Sequence, residues 1–374
     1  MVILRKVENE FFISKMDNII HCDLEKCIEQ ILEIPEPILP ENLTKGQMEV
    51  LKKEMRTVTS LEFSKFREYI VVSTENKQII VYDKHFNIVK NIIIHRAASK
   101  ACFTTSNDIL VADKTGDVYL YKISNEDDVP ILLLGHLSVI LDMQISECGK
   151  YLITCDRDEK IRVSHFPNCY NIASYCLGHT EFITRLVIVE KLLISASGDG
   201  TVRFWDFIKG KQLGIINTHK HISNKSLLED FCLDMDKEKV EISALPITDV
   251  QVCSGDKLLI AVSVHRYNAI QLFSTDLNNF ESHFIAKLCL QDPFVFCFSN
   301  NELYILGNKL SCFQINDNFD IVEKNIPSLE NISEKFQSYF NKKFEDTSIT
   351  VLYKRKYDNV QEYLLRKKQR LDEK

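Results

Sequence analysis

The sequence predicts an all-β protein, a seven-bladed β-propeller, from a repeat of about forty residues and the strand pattern within each repeat. Inside each unit, apolar and polar residues alternate, and Asn, Asp and Gly separate the runs, as in antiparallel hairpins. Four short strands in a repeat of this length are typical of a propeller blade. The equivalent strand ends recur at Tyr82, Tyr121, Ser164, Trp205, Phe273 and Phe313.

Six repeats are visible, and we predict that strands from both chain ends close a seventh blade, which would remove exposed sheet edges. The expected pair is "FFISK" or "NIIHC" with "SITVLYK". Residues 217–245 form an acidic insertion that lengthens one spacing, and 24–55 are interpreted as a helical, proline-containing insertion. The propeller is therefore expected over 1–353, and a short, basic helical tail over 354–374.

Composition indicates an ordinary globular protein of 374 residues with a net charge of −7. That charge argues against a surface devoted to nucleic acid, since such domains are usually basic. The 12 Cys are scattered and lack metal-site spacing, which favours reduced core thiols. No apolar run approaches the ~20 residues of a membrane helix, so we expect a soluble intracellular protein without membrane contact.

Two repeats carry the details of WD repeats. One, "LGHTEF" followed by "LLISASGDGTVRFWD", supplies His179, Ser195, Asp199 and Trp205. The other, "LGHLSV", supplies His136, but Ser164 replaces its Trp. In WD repeats the loop His, turn Asp, strand Ser or Thr and Trp form hydrogen bonds across a blade. These histidines are therefore predicted to be structural rather than catalytic or metal-binding.

We predict no catalytic, cofactor-binding or metal site. The sequence contains no G-x-G-x-x-G, Walker loop, G-x-S-x-G or H-E-x-x-H motif. The glycines of "SGDGT" lie between two alternating strands, where a hairpin turn explains them. The chain has the character of a scaffold.

The stretch "TCDRDEKIRVS" places charged residues at a hairpin turn that contains no glycine. It aligns with the turns at 113–117 and 197–201, so all three should open on one rim. Asp158 aligns with Asp199, which leaves it either a structural partner of His136 or a functional residue. The other charges form either a solvated turn or a protein contact in which mixed signs give selectivity.

Residues 112–213 resemble the WD-repeat, non-catalytic subunit of the tRNA methyltransferase that forms 7-methylguanosine in the variable loop. "DRDEKIR" followed by "LGHTEF" is the specific combination, and the tail "VLYKRKYDNVQEYLLRKKQRLDEK" is also similar. The resemblance implies a heterodimer in which a separate catalytic subunit binds S-adenosylmethionine, while this chain binds no cofactor. It also implies tRNA contact mainly through that subunit, and docking through Asp156, Arg157, Asp158, Glu159, Lys160 and Arg162, with Lys114 beside them.

The basic tail is either a direct RNA element or a solvated helix. The candidate RNA contacts are Lys354, Arg355, Lys356, Arg366 and Lys367. "RKKQR" is a weak nuclear-localisation pattern, so we expect the nucleus, with the cytoplasm as a second location. His95, Arg96 and Lys100 form a further basic patch in the sequence.

Two rival hypotheses belong to other classes of function. A generic WD-repeat adaptor would recruit substrates to a ubiquitin ligase or chromatin complex and would ignore tRNA. An enzyme in its own right would have to bind its cofactor alone, which the absence of a recognisable motif disfavours.

Overall fold

The computed structural model describes residues 2–26, 28–38, 56–124, 129–290, 294–316, 318–336 and 349–355, with the single positions 46, 49 and 368. Its strands form seven four-stranded antiparallel sheets, each built from four consecutive strands. The seven-bladed β-propeller predicted from the repeat is thus confirmed. All six repeat positions named above lie on the third strand of their blades.

The first four blades contain strands β1 to β16. Blade 1 comprises β1 (Val2–Val7), β2 (Glu10–Lys15), β3 (Asn18–Asp23) and β4 (Ile28–Glu33). Blade 2 comprises β5 (Val58–Phe63), β6 (Tyr69–Thr74), β7 (Gln78–Asp83) and β8 (Ile88–Ile93). Blade 3 comprises β9 (Ala98–Phe103), β10 (Ile109–Asp113), β11 (Asp117–Tyr121) and β12 (Ile131–Gly135). Blade 4 comprises β13 (Ile140–Ile145), β14 (Tyr151–Asp156), β15 (Ile161–His165) and β16 (Ile172–Cys176).

The last three blades contain strands β17 to β28. Blade 5 comprises β17 (Ile183–Val189), β18 (Leu192–Ser197), β19 (Thr201–Asp206) and β20 (Lys211–Asn217). Blade 6 comprises β21 (Ile247–Cys253), β22 (Leu258–Val264), β23 (Tyr267–Thr275) and β24 (Ser282–Cys289). Blade 7 comprises β25 (Val295–Ser299), β26 (Glu302–Leu306), β27 (Leu310–Ile315) and β28 (Ile321–Lys324).

The ring closes by packing, without a sheet shared between the chain ends. The first strand of each blade lies innermost and contacts the first strand of the next, and β1 contacts β25. Blade 1 is complete from residues 2–33 and blade 7 from residues 295–324, so the predicted pairing of both termini is wrong. The segment expected to supply the closing strand instead contains a 3₁₀ helix, Ile349–Leu352.

The interpretation of 24–55 as a helical insertion is wrong for Ile28–Glu33, which is strand β4. This strand is at the outer edge of its blade, pairs with β3 alone and is half-exposed, so it lacks clear apolar alternation. Positions 46 and 49 are helical, and the rest of 39–55 lies outside the described residues.

Besides the 3₁₀ helix at Ile349–Leu352, further helical elements accompany the blades. A 3₁₀ helix, Thr218–His221, and helix α1, Ser226–Lys237, lie between blades 5 and 6, within the predicted insertion 217–245. Helix α2, Pro327–Lys335, follows blade 7. Phe231 of α1 packs in one apolar core with the inner face of blade 5 and with Ile349 and Tyr353. The chain beyond blade 7 thus returns to pack on blade 5.

Candidate functional site

One rim of the propeller is formed by the turns between the second and third strands and by the loops that join successive blades. Backbone hydrogen bonds connect them: Lys114 N to Ala97 O at 3.0 Å, His136 N to Gly116 O at 2.8 Å, and Arg157 N to Val139 O at 3.1 Å. The three turns aligned in the sequence therefore lie side by side and are held in place by the neighbouring loops. Binding residues usually lie on loops that a rigid scaffold positions in this way.

The His179 set of blade 5 links a loop, a turn and two strands. His179 Nδ1 lies 2.9 Å from Asp199 Oδ2, and because a carboxylate only accepts, the ring donates there. His179 Nε2 lies 2.7 Å from Ser195 Oγ, to which Trp205 Nε1 donates at 2.8 Å. Burial lowers the pKa of His179, which favours this neutral, fully bonded ring. The structure thus brings all four WD-repeat residues together.

In blade 4 the equivalent carboxylate is Asp156. His136 Nδ1 lies 2.8 Å from Asp156 Oδ2, and His136 Nε2 lies 2.8 Å from Thr154 Oγ1. Of the two roles left open for Asp158, that of structural partner of His136 is wrong, because Asp156 bonds the histidine from two residues earlier in the turn. Asp156 Oδ1 also accepts from the backbone N–H of Asp158 at 2.8 Å, which stabilises the turn.

Arg157 binds the carboxyl-terminal segment of the chain. Its Nε donates to Leu352 O at 2.7 Å, and its Nη2 donates to Tyr353 O at 2.9 Å. Tyr353 is 2% exposed, donates from its hydroxyl to Gly198 O at 3.2 Å and packs edge-on against Phe182. We refer to residues 349–355 as the C-terminal clasp.

The clasp also neutralises the two remaining acids of the turn. Lys354 Nζ lies 3.2 Å from Asp158 Oδ1 and 2.5 Å from Glu159 Oε1. Burial would lower the pKa of Lys354, but hydrogen bonds to Glu159 and Asp158 outweigh it and raise the pKa. Arg355 pairs with Glu238 at 2.6 Å, just beyond the end of α1.

Glu181, on the loop from blade 4 to blade 5, faces the same cluster. Burial raises its pKa to about 7, and the neighbouring carboxylate of Glu159 adds to that rise, whereas Lys354 opposes it. A half-buried carboxyl with this pKa is partly protonated at neutral pH.

The predicted partner-binding residues therefore have different roles. Arg157, Asp158 and Glu159 bind the clasp. Arg162 donates to Ser164 Oγ at 3.0 Å, Gly135 O at 3.3 Å and Cys169 O at 2.8 Å, so it links its own blade to the last strand of blade 3. Lys114 and Lys160 are exposed and make no ion pair among the described residues.

Several residues of the predicted basic patches are paired with carboxylates and so do not form a cationic surface. Lys100 is buried and lies 2.7 Å from Glu62, so it does not join His95 and Arg96. Lys354 and Arg355 both pair with carboxylates. The candidate RNA contacts Lys356, Arg366 and Lys367 lie outside the described residues.

Sequence reasoning missed the clasp. The run "ITVLYK" alternates like a strand, and an Arg side chain that binds a backbone carbonyl almost two hundred residues away leaves no local pattern. The only local signal was indirect: the turn carried more charge than its geometry required.

Across the part of the chain that the structure describes, no cluster of His, Cys, Asp or Glu could hold a metal ion. None of the described helices has the length and apolar character needed to cross a membrane.

The blades and their histidine-centred hydrogen bonds define a WD-repeat β-propeller. A family model described as "tRNA methyltransferase TRM82 WD40 domain" matches residues 129–295. The chain is 30% identical over 371 residues to the "tRNA (guanine-N(7)-)-methyltransferase non-catalytic subunit wuho" of Drosophila pseudoobscura pseudoobscura, covering 94% of this chain and 89% of that protein. The chain belongs to this family of non-catalytic subunits.

A second relative and one solved structure agree with that placement. The subunit of the same description named wdr4, from Danio rerio, is 28% identical over 340 residues, covering 86% of this chain and 79% of that protein. The β-propeller domain of Myceliophteria thermophila Cps50 (Swd1) superposes with a TM-score of 0.62 at 12% identity, covering 82% of this chain and 91% of that one. The latter supports the fold alone.

Proposed function

We propose that this chain is the non-catalytic subunit of a tRNA methyltransferase that forms 7-methylguanosine in the variable loop. It binds one separate catalytic subunit, stabilises it and orients it on tRNA, within the nucleus. That subunit binds S-adenosylmethionine, and this chain binds no cofactor. The support is membership of a family whose relatives are named as non-catalytic subunits of that enzyme.

The docking site of this proposal is the rim of blades 3 to 5. Lys160 and Lys114 project from turns whose backbones are hydrogen-bonded to the neighbouring loops. A preorganised surface binds without first having to be ordered, which favours affinity. The exposed lysines on this rigid rim are the single observation that carries the assignment.

Contact with tRNA is proposed to be mainly through the catalytic subunit. The chain has a net charge of −7, and Lys354 and Arg355 at the start of the tail are paired with carboxylates. A surface that binds RNA needs unpaired basic side chains, which bind the phosphates and release the counterions of the RNA. The adaptor hypothesis has no comparable support, because the relatives are named as methyltransferase subunits.

Charge reversal of Lys160 tests the docking site. We expect Lys160→Glu to weaken binding to the catalytic subunit by about tenfold or more, because it places a negative charge among partner contacts. Binding is measured by titrating the labelled catalytic subunit, and 7-methylguanosine formation is measured on tRNA with both subunits present.

The matched control is Lys150→Glu, which changes an exposed lysine in the same blade on the turn at the opposite rim. The control should bind and support methylation like the wild type. Equal weakening by both variants would indicate a non-specific charge effect. If the wild-type chain neither bound the catalytic subunit nor stimulated methylation, the proposed function would be wrong.

A further inference from the structure

Most of the charged side chains in the turn between β14 and β15 bind other residues of the same chain. Asp156 is buried against His136, Arg157 binds two carbonyl oxygens of the clasp, and Asp158 and Glu159 share Lys354. Of the five consecutive charged residues, Lys160 alone is exposed without an ion pair among the residues described.

Buried side chains anchor the clasp to the propeller. Ile349 and Tyr353 are buried in the core that joins blades 5 and 6, and Tyr353 also lies 6.2 Å, centroid to centroid, from Phe231 of α1. Releasing the clasp would expose both side chains and leave Arg157 without its two acceptors. Because exposing buried apolar side chains to water is unfavourable, the clasp is a permanent part of the surface.

The clasp changes the sign of the surface that the turn presents. Without Lys354, the carboxylates of Asp158 and Glu159 would face solvent beside Lys160 and cancel its field. With Lys354 in place, the exposed charged residues that have no ion pair among the described residues, on the turns between the second and third strands of blades 3 and 4, are the cations Lys160 and Lys114. Glu181, which faces the same cluster, carries only part of its negative charge at neutral pH, because burial raises its pKa to about 7.

We propose that the C-terminal clasp is an integral part of the docking surface, converting a mixed-charge turn into a cationic one that fits acidic side chains of the catalytic subunit. This inference rests on the proposed function, since it concerns the same partner. It makes Lys354 a positioning and neutralising residue, and it makes Arg157, Asp158 and Glu159 ligands of the clasp rather than of the partner.

The test uses the full chain and the variant Lys354→Met. Tyr353 and Arg157 still anchor the clasp in this variant, but two carboxylates are left unpaired at the interface. We expect affinity for the catalytic subunit to fall about five- to tenfold at low salt, and the difference from wild type to shrink as salt screens the charges. Arg355→Met is the matched control, because its partner Glu238 lies away from the turn.

A rescue variant separates charge from structure. Adding Asp158→Asn and Glu159→Gln to Lys354→Met removes the exposed carboxylates, and affinity should return to within about twofold of wild type. Unchanged binding by Lys354→Met would overturn the inference, and so would a triple variant as weak as the single one. Failure of the wild-type chain to bind the catalytic subunit would instead contradict the proposed function, so the two failures are distinguishable.

Discussion

Glu159 has a backbone φ of +65°, the left-handed conformation that Gly116 and Gly200 adopt at the equivalent positions of the neighbouring turns. A residue with a side chain pays roughly 1 kcal/mol for this conformation relative to glycine. What the turn gains is the ion pair between Glu159 and Lys354. The absence of glycine in this turn is therefore explained by the clasp.

Glu181 gives the rim a pH dependence whose sign follows from its raised pKa. Its carboxyl has a pKa of about 7 in the folded chain and an ordinary value near 4.5 when unfolded. Between these values the folded state binds more protons, so this group makes the free energy of unfolding fall as pH rises from about 4.5 to 7. The groups that act on it are Glu159, Lys354 and Asp199.

We therefore expect Glu181→Gln to be more stable than wild type at pH 8 by on the order of 1 kcal/mol, after allowing for solvent screening. The advantage should be largely lost by pH 4.5, where the wild-type carboxyl is protonated in the folded state and half protonated in the unfolded state. Urea unfolding at pH 4.5, 6 and 8 measures it. Glu190→Gln, on an exposed turn at the opposite rim, is the control and should show no such trend. A pH-independent difference for Glu181→Gln would contradict the assignment.

At the scale of elements, the clasp joins blade 4, blade 5 and α1. Tyr353 is its most deeply buried residue, and the Tyr353 hydroxyl donates to Gly198 O in the turn of blade 5. We expect Tyr353→Ala to lower the free energy of unfolding by about 3 kcal/mol, because it leaves a cavity beside Phe182 and Phe231. Tyr353→Phe should cost about 1 kcal/mol, the net value of one hydrogen bond.

Chemical denaturation measures both changes. The control lies two residues away: Val351 is 66% exposed, so Val351→Ala should be nearly neutral. Tyr353→Ala as stable as Val351→Ala would mean that the clasp is only loosely held, and the inference about the docking surface would lose its structural basis.

The blades were predictable from the sequence because each strand carries its own alternation and turn residues. The His179 set was predictable for a similar reason, since its members follow the WD-repeat pattern, but in blade 4 the carboxylate is Asp156 rather than the aligned Asp158. Strand β4 and the clasp were not, because an edge strand needs little apolar alternation and the clasp depends on contacts between distant parts of the chain. For the same reason, the sequence indicated Arg157 as a residue that binds the partner subunit, whereas in the structure its side chain binds two carbonyl oxygens of the clasp.

Across the whole molecule, the innermost strands carry charges of alternating sign around the central channel. They are Arg5, Glu62, Lys100, Asp142, Arg185 and Asp249, on β1, β5, β9, β13, β17 and β21 respectively. Glu62 lies 3.0 Å from Arg5 and 2.7 Å from Lys100, and Arg185 lies 2.8 Å from Asp249. These pairs link neighbouring blades, so they fix how the blades sit around the ring.

This ring could not be predicted from the sequence, because its ion pairs join residues of different blades that are far apart in the chain. The pairing register shifts just before Asp142, Arg185 and Asp249, between Ile140 and Asp142 in the first case. A bulge of this kind redirects the following side chain. Lys100 lies at a similar shift in the pairing of β9 with β10, and it pairs with Glu62 and Asp142 of the neighbouring inner strands rather than lying on the surface that its basic neighbours in the sequence suggested.

Lys100 is the member of the ring whose removal tests it best. Its ammonium lies between Glu62 and Asp142, at 2.7 and 3.4 Å, so Lys100→Met leaves these two carboxylates without their lysine counter-charge.

Burial alone would raise the pKa of Glu62, but Lys100 and Arg5 lower it to about 2. The ionised Glu62 carboxylate therefore stabilises the fold above about pH 4.5, and this stabilisation is lost as the pH falls toward 2. We expect Lys100→Met to lower the free energy of unfolding at pH 7 by about 3 kcal/mol and to shift the midpoint of acid unfolding to higher pH. The double variant Lys100→Met/Glu62→Gln should recover part of the lost stability in urea titrations, since it removes the Glu62 carboxylate that Lys100 no longer neutralises.

If Lys100→Met alone had a free energy of unfolding within about 1 kcal/mol of wild type, the blades would be held by apolar packing alone. The alternating charges would then not contribute to the closure of the ring.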